Sequence, residues 1–412
     1  MGEFGFALVL LADVIWIGLV TLWGSFWMTD QRLDTSNDPI SDEELTDLGR
    51  PGASTRFQGE KGKSLPTICA VMPARNEADM VPHSLRSLLQ QDYPGRVQVI
   101  LVDDHSTDGT GAIAQQVAAE LGKSRQLTVL PAATLPKGWT GKLWAMEQGD
   151  RHSQTLTPPP DYLLFTDADI EHDPGNLSRL VAKAEQSRLD MVSLMVLLRC
   201  QSQWEKWLIP AFVFFFQKLY PFAWVNDPKR AIAAAAGGCI LIRRTALTRI
   251  GGLQTVRQAL IDDCALAKAV KVDTPRNHPI WLGLTQSTRS LRPYDTLATI
   301  WDMVARTAYT QLNYSPRLLV GTLLGMTLVY LVAPIALLVG VLTVNWTLAV
   351  AGLVGWGLMA LAYLPTVQLY RLSPLWALTL PAIALMYTLM TVDSARRHWR
   401  GEGGSWKGRT YS

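Results

Sequence analysis

Apolar positions in this chain fall into long unbroken blocks at the two ends and short, spaced runs between them. Residues 4–27 are apolar apart from Asp13, and about 20 such residues cross a bilayer. No small-residue cleavage site follows, and Trp23 and Trp27 stand where interfacial anchors belong. The block therefore predicts a retained N-terminal anchor over residues 4–27 rather than a signal peptide. After Pro316 the chain turns apolar again, and residues 318–344, 347–367 and 375–392 predict three spans with breaks at Asn345 and Arg371. They make up a C-terminal transmembrane region over 318–392, followed by a basic tail over 393–412.

Between these blocks the periodicity changes. Residues 29–63 are polar, acidic at first and rich in Gly, Ser and Asp, which reads as a linker or loosely ordered lid. Residues 65–315 carry the pattern of an α/β domain. The run 67–72 before Pro73 suits a central strand, and 81–91, with Leu85, Leu88 and Leu89 on one face, suits the helix after it. Residues 97–102 predict a second strand, with Ser106 or Thr107 capping a helix over 112–121. Strand, helix, strand, helix at this spacing implies parallel pairing with right-handed crossovers. Residues 162–165 predict another strand, and 264–270 a helix opened by Asp262-Asp263.

One further apolar stretch, 204–224, resembles a span but is interrupted by Lys206, Pro210, Gln217, Lys218 and Pro221. A crossing there would put Asp169 and Asp263 on opposite membrane faces. It is predicted to lie along the interface as an amphipathic helix, with a buried core helix as the alternative.

Composition supports the membrane reading: 48% of residues are hydrophobic, only 18% are charged, and there are 15 tryptophans. A formal charge of +3, with no basic stripe bearing interleaved aromatics, excludes a nucleic-acid partner. Cys69, Cys200, Cys239 and Cys264 stand apart, with no CxxC pair, and read as buried thiols. No Lys or Arg precedes the first span, whereas Arg32 follows it and Arg306 and Arg317 precede the second. The positive-inside rule then predicts a multi-pass protein of the cell (inner) membrane with its central domain in the cytoplasm. Arg396, Arg397, Arg400, Lys407 and Arg409 also ask to be inside, which three C-terminal spans would deny. Either one segment is re-entrant or the rule fails here.

The candidate chemistry is a set of carboxylates in fixed order: Pro73-Ala-Arg75-Asn-Glu77, Asp103-Asp104, Asp167-Ala-Asp169 and Asp262-Asp263. The first three follow apolar runs, at strand ends where open α/β sheets bind ligands. GxGxxG and Walker motifs are missing, which disfavours dinucleotide and P-loop sites. Asp167 and Asp169, one residue apart, can reach one hard cation. Mg²⁺ or Mn²⁺ completes its shell with phosphate oxygens and would neutralise a departing diphosphate. Asp262-Asp263 at a helix start is stabilised as the anion and suits a general base, or caps the helix only. Gly237-Gly238 allows close backbone approach to a ligand, or tight packing. Lys142 and Arg306 are candidate phosphate partners, or an exposed lysine and a membrane-flanking arginine. The histidines have no metal-ligand spacing.

In order and spacing these segments resemble the family 2 glycosyltransferases of the GT-A fold. The resemblance implies a Rossmann-like, mostly parallel nucleotide-binding sheet flanked by transmembrane helices. It implies that Pro73, Arg75, Glu77, Asp103 and Asp104 lie in the nucleotide-sugar site with Lys142, Asp167 and Arg306, with Glu77 and Asp104 on uridine. It implies metal on Asp169 and Asp167, an acceptor region at Gly237 and Gly238, and a catalytic base at Asp263, with Asp262 less favoured. Processive relatives carry QxxRW, whereas Met303-Val-Ala-Arg306-Thr307 keeps the arginine without the tryptophan, which weakens a polymer-synthase reading. The anchored layout resembles ceramide glucosyltransferase. Gly138-Trp-Thr-Gly-Lys-Leu-Trp-Ala, Ile209-Pro-Ala-Phe-Val-Phe-Phe-Phe-Gln, Tyr220-Pro-Phe-Ala-Trp-Val-Asn-Asp-Pro and Ala305-Arg-Thr-Ala-Tyr-Thr-Gln-Leu resemble the hopene-associated bacterial glycosyltransferases. That subgroup implies inverting transfer from a nucleotide sugar, UDP-linked, to a hydroxyl of a membrane lipid such as a hopanoid. The other classes weighed are a processive polysaccharide synthase and a non-catalytic nucleotide-sugar-binding membrane protein.

Overall fold

A computed structural model describes residues 2–34, 65–273, 276–402, 405–406 and 409–410. Most of the expected linker over 29–63 lies outside the described residues, as does Lys407 of the tail. The principal elements in chain order are α1 (Gly2–Leu22), β1 (Ile68–Ala74), α2 (Val81–Leu89), β2 (Val97–Asp103), α3 (Thr110–Glu120) and β3 (Leu127–Pro131). Next come α4 (Gly141–Ser153), β4 (Tyr162–Thr166), β5 (Ile170–Glu171), α5 (Asn176–Gln186), β6 (Met191–Leu197) and α6 (Gln203–Leu219). The domain closes with β7 (Cys239–Arg243), α7 (Asp262–Lys271), β8 (Ile280–Ser290) and α8 (Leu297–Ala305). Three long apolar segments follow: α9 (Pro316–Leu342), α10 (Trp346–Leu369), and Pro374–Trp399, which begins as a 3₁₀ helix and continues as α11 (Leu380–Trp399).

The strands form one eight-stranded sheet in the order β3-β2-β1-β4-β7-β6-β8-β5. β1 pairs in parallel with β2 and β4, β2 with β3, and β6 with β8. β7 runs antiparallel between β4 and β6. Helices cover both faces, which explains why β1 reads as an unbroken apolar run and is buried at every position. Its residues still alternate: Cys69 and Val71 pack with Leu143 and Met146 of α4, and Ile68, Ala70 and Met72 pack with Leu85 and Leu88 of α2. This is the expected α/β fold, a mostly parallel sheet with apolar helices at both ends of the chain.

One local expectation changes. The helix after β2 is not capped by Ser106 or Thr107. It starts at Thr110 after a left-handed Gly109 (φ 85°), with Asp108 Oδ1 accepting from the Thr110 backbone and hydroxyl. Most of the stretch 204–224 forms α6, whose end residues Trp204 and Leu219 stay exposed. α6 is packed between the domain and the C-terminal helices, because its aromatics find partners there: Phe214 on Tyr363, and Phe215 on Tyr330 and Tyr387.

Gly5–Leu22, Pro316–Leu342, Trp346–Leu369 and Pro374–Trp399 are each long and apolar enough to cross a membrane. α1 ends earlier than the apolar block, since Gly24 turns the chain (φ 60°), and a Cβ there would lie 2.7 Å from Pro221 Cβ. α9 and α10 approach closely through small residues, as membrane helices do; a Cβ on Gly352 would fall 2.5 Å from the Ala333 carbonyl oxygen. Asp13 is buried and faces α10 at Gly355.

The last apolar segment begins and ends beside the domain. The Leu369 carbonyl accepts from Gln286 of β8. The chain then runs back along α10, where the Trp356 indole donates to the Leu378 carbonyl. α11 returns it to the domain, with Asp393 accepting from Trp301 and Arg397 donating to Asp302. The segment therefore folds as a hairpin that leaves and rejoins the domain, and α11 carries residues 393–399, read from sequence as tail, in its last two turns. Arg32 bridges to Leu284 of β8 and Arg397 donates to Asp302 of α8, so both lie beside the domain.

Candidate active site

β1, β2 and β4 end at the same sheet edge, and β7, running the other way, begins there. The loops bearing Glu77, Asp104, Asp167–Asp169 and Gly237–Gly238 are therefore neighbours by topology. A cavity of about 640 Å³ opens over this edge.

The turn after β4 is pinned from several elements. Ser84 of α2 donates to the Ala168 carbonyl (2.6 Å), and the Leu291 amide donates to the Asp169 carbonyl (2.8 Å). His172 links Thr166 Oγ1 and Asn176 Nδ2, each at 2.9 Å, and burial lowers its pKa to about 4, so the ring is neutral. Held this way, Asp167 and Asp169 both line the cavity. Asp169 is buried and its pKa is raised, first by desolvation and then by the neighbouring Asp167 charge, while Arg292 opposes the shift.

On the other wall, Asp262 and Asp263 form the first turn of α7. Asp263 accepts from the Gly237 amide (2.9 Å, Oδ2) and the Cys264 amide (2.7 Å, Oδ1). Burial, then the Asp262 charge, pushes its pKa up to about 6, against the pull of Lys142 and the two amides. Lys142, at the start of α4, joins the walls: its Nζ is 2.7 Å from Asp167 Oδ1 and 3.8 Å from Asp262 Oδ2. Burial disfavours its charge, but the Asp167, Asp262 and Asp263 carboxylates outweigh that and raise its pKa. A Cβ on Gly237 would lie 3.3 Å from Lys142 Nζ and 3.4 Å from Asp263 Oδ2, so glycine leaves room for this cluster. Gly238 packs instead against Ile170 and Val196.

Of the residues singled out from sequence, Pro73, Glu77, Lys142, Asp167, Asp169, Asp262 and Arg306 line the cavity. Asp263, Gly237 and Gly238 sit behind this lining. Arg75 donates to the Asp104 carbonyl (2.6 Å), and Asp104 is buried. Asp103 Oδ1 accepts from the Ser106 amide (2.9 Å), holding the loop before α3. These three lie at the shared edge without lining the cavity.

Several lining residues were not anticipated. Arg292 follows β8 and reaches back across the site, with Nη2 2.6 Å from Glu77 Oε1 and Nε 3.0 Å from Asp169 Oδ2. It lies two residues past a strand whose second half, residues 285–290, is polar, so the apolar run that marked the carboxylates does not precede it. Arg397 and Glu402 line the cavity from the end of α11 and the residues after it, and Asp302 from α8. Nothing in the local sequence points to the α11 contributions, which depend on the hairpin.

Among the described residues no three His, Cys, Asp or Glu side chains are grouped to hold a metal ion. Asp167 and Asp169 nevertheless fit a hard divalent cation. They face the cavity together, and Mg²⁺ and Mn²⁺ bind through one or two carboxylates plus substrate phosphates and water.

Residues 69–251 match the family model "Glycosyl transferase family 2". The 4,4'-diaponeurosporenoate glycosyltransferase of Staphylococcus haemolyticus (strain JCSC1435) is 32% identical over 111 residues, 27% of this chain and 26% of that protein. The enzyme of the same name from Staphylococcus aureus (strain MRSA252) is 36% identical over 104 residues, 25% of this chain and 24% of that protein. The chain thus matches about a quarter of the length of these relatives. Among solved structures, the mannosyltransferase PcManGT of Pyrobaculum calidifontis, in complex with GDP-Man and Mn²⁺, aligns at 17% identity. It covers 96% of this chain and 99% of that one with a TM-score of 0.49.

Proposed function

We propose that this chain is a membrane-embedded, inverting glycosyltransferase that moves a sugar from a nucleoside diphosphate donor, UDP-linked, to a lipid acceptor. The observation that carries the reading is Lys142, which ties the strand-end pair Asp167/Asp169 to the helix-start pair Asp262/Asp263 across one cavity. A diphosphate needs cations where it leaves, and an incoming hydroxyl needs a base on the opposite side of the anomeric carbon. Both needs are met within this single cluster.

In this mechanism Glu77 and the loop carrying Asp104 receive the nucleoside. Asp167 and Asp169 would hold the divalent ion, which when bound neutralises charge on the diphosphate. Of the pair opening α7, Asp263 takes the proton of the acceptor hydroxyl as its oxygen attacks the anomeric carbon and the bond to the diphosphate breaks, with Asp262, which lines the cavity, as the alternative base. A carboxyl with a pKa of about 6 is well placed for that role near neutral pH. Lys142 and Arg306 favour the departing charge, fixed in position before the reaction. The acceptor is proposed to be a polycyclic or polyisoprenoid lipid of the hopanoid kind, reaching the cavity from the α6, α8 and α11 side. The domain is proposed to face the cytoplasm, a reading supported by the positive-inside rule.

A second reading of the acceptor comes from the relatives, whose name specifies a carboxylate. Transfer to a carboxylate gives a glycosyl ester and needs no base. Purified protein is supplied with a panel of labelled nucleotide sugars and total membrane lipid, and products are identified by mass spectrometry. A glycolipid stable to mild alkali supports the hydroxyl reading, and an alkali-labile one supports the ester. No labelled lipid with any donor contradicts both.

A further inference from the structure

The carboxylates that would grip the metal and the nucleotide are already held by a side chain of the protein itself. Arg292 bridges Glu77, from the loop after β1, and Asp169, from the loop after β4, while its own backbone belongs to the segment after β8. That backbone is fixed. The Leu291 amide donates to the Asp169 carbonyl (2.8 Å), the Arg292 amide donates to Ser290 Oγ (3.3 Å), and Pro293 follows. The side chain is different: it lines the cavity, with 27% of its surface exposed.

We propose that Arg292 is a displaceable counter-ion, resting on Glu77 and Asp169 without nucleotide and passing to the donor's diphosphate when the sugar nucleotide binds. This rests on the nucleoside diphosphate sugar reading above. Asp169 is buried beside another acid, so leaving it without a cation is unfavourable. Arg292 meets that need while the site lacks nucleotide. A guanidinium and a divalent cation cannot both sit against Asp169 Oδ2 without repelling each other. Binding of the ion at Asp169 therefore evicts Arg292. A diphosphate arriving with the ion offers the released guanidinium two or more anionic oxygens, which suit its planar fork. The swap keeps charge balanced at each stage. It also discourages metal binding without donor, because Arg292 then competes for the same carboxylate. A fixed ion pair that only staples β8 to the rest of the sheet would do neither.

The two roles separate without measuring sugar transfer. Mn²⁺ binding is titrated by electron paramagnetic resonance on nucleotide-free wild type, Arg292→Gln and Arg292→Lys in detergent. UDP and GDP binding in the presence of Mn²⁺ is titrated by calorimetry. Arg292→Gln is expected to bind Mn²⁺ roughly tenfold more tightly without nucleotide. It should bind the diphosphate roughly 10–100-fold more weakly, the size of a charge-assisted contact. Arg292→Lys, which keeps the charge but loses the fork, should fall between wild type and Arg292→Gln on both axes; it supplies the test if the glutamine variant does not fold. Variants that fold, melt at lower temperature and bind Mn²⁺ and diphosphate as wild type does would overturn the proposal. Absence of turnover with every nucleotide sugar, with the Mn²⁺ result intact, would count against the glycosyltransferase reading and not against this exchange.

Discussion

Lys142 Nζ lies 2.7 Å from Asp167 Oδ1, and this one contact joins the start of α4 to the turn after β4. The same ammonium reaches Asp262, so the two halves of the cluster share a single cation. Lys142→Met should therefore act chiefly on kcat, because the lost charge matters most when the diphosphate departs. A fall of roughly 100-fold is expected, in the range seen when one preorganised donor is removed, with Lys142→Arg recovering part of it. Steady-state kinetics with kcat within twofold of wild type would place Lys142 outside the chemistry.

The pH profile follows from Asp263. As a base it must be ionised, so kcat/KM should rise with pH along a limb with an apparent pKa of about 6 and level off above it. Two neighbours set that value with opposite signs. Asp262→Asn removes a negative charge that raises it, so the limb should move to lower pH. Lys142→Met removes a positive charge that lowers it, so the limb should move to higher pH. A flat profile from pH 5 to 8 in the wild type would remove Asp263 from the base role.

Metal dependence is tested by withdrawal. Dialysis against EDTA should abolish transfer, and Mg²⁺ or Mn²⁺ should restore it, because two carboxylates plus a diphosphate make a complete hard-cation site. Asp169→Asn should weaken that restoration by raising the metal concentration needed. Full activity after exhaustive chelation would leave the side-chain cations that line the cavity, Lys142, Arg292, Arg306 and Arg397, to act on the diphosphate.

The hairpin ending in α11 predicts a sidedness. Single cysteines introduced as Glu402→Cys and as Val344→Cys, the latter between α9 and α10, should react with an impermeant thiol reagent from opposite faces of sealed vesicles. Glu402→Cys should share its face with the domain. Labelling of both from one face would mean that Pro374–Trp399 crosses fully.

What was legible in the sequence, and what was not, divides along physical lines. β1, β2 and β4 announce themselves because strands covered on both faces must be continuously apolar, and the acids after them fall at one edge by topology. β7 carries the same apolar signature, yet its antiparallel direction is a matter of pairing that no single strand's composition records. The packing of α6 was not legible, because Tyr363, Tyr330 and Tyr387, which meet Phe214 and Phe215, lie more than a hundred residues on. Arg397 and Glu402 were illegible as site residues for the same reason, since only the return of α11 to Asp302 and Trp301 brings them to the cavity. Arg292 was hidden for a different reason: the second half of β8, residues 285–290, is polar and gives no apolar strand-end signal.

The most direct test compares wild type with Asp263→Asn in a single assay of labelled sugar transferred from nucleotide donor to membrane lipid. The glycolipid should form with the wild type, and the variant should still bind the nucleotide but lose roughly 10²–10⁴-fold in rate, as expected for removal of a general base. Transfer by Asp263→Asn at the wild-type rate would contradict the account.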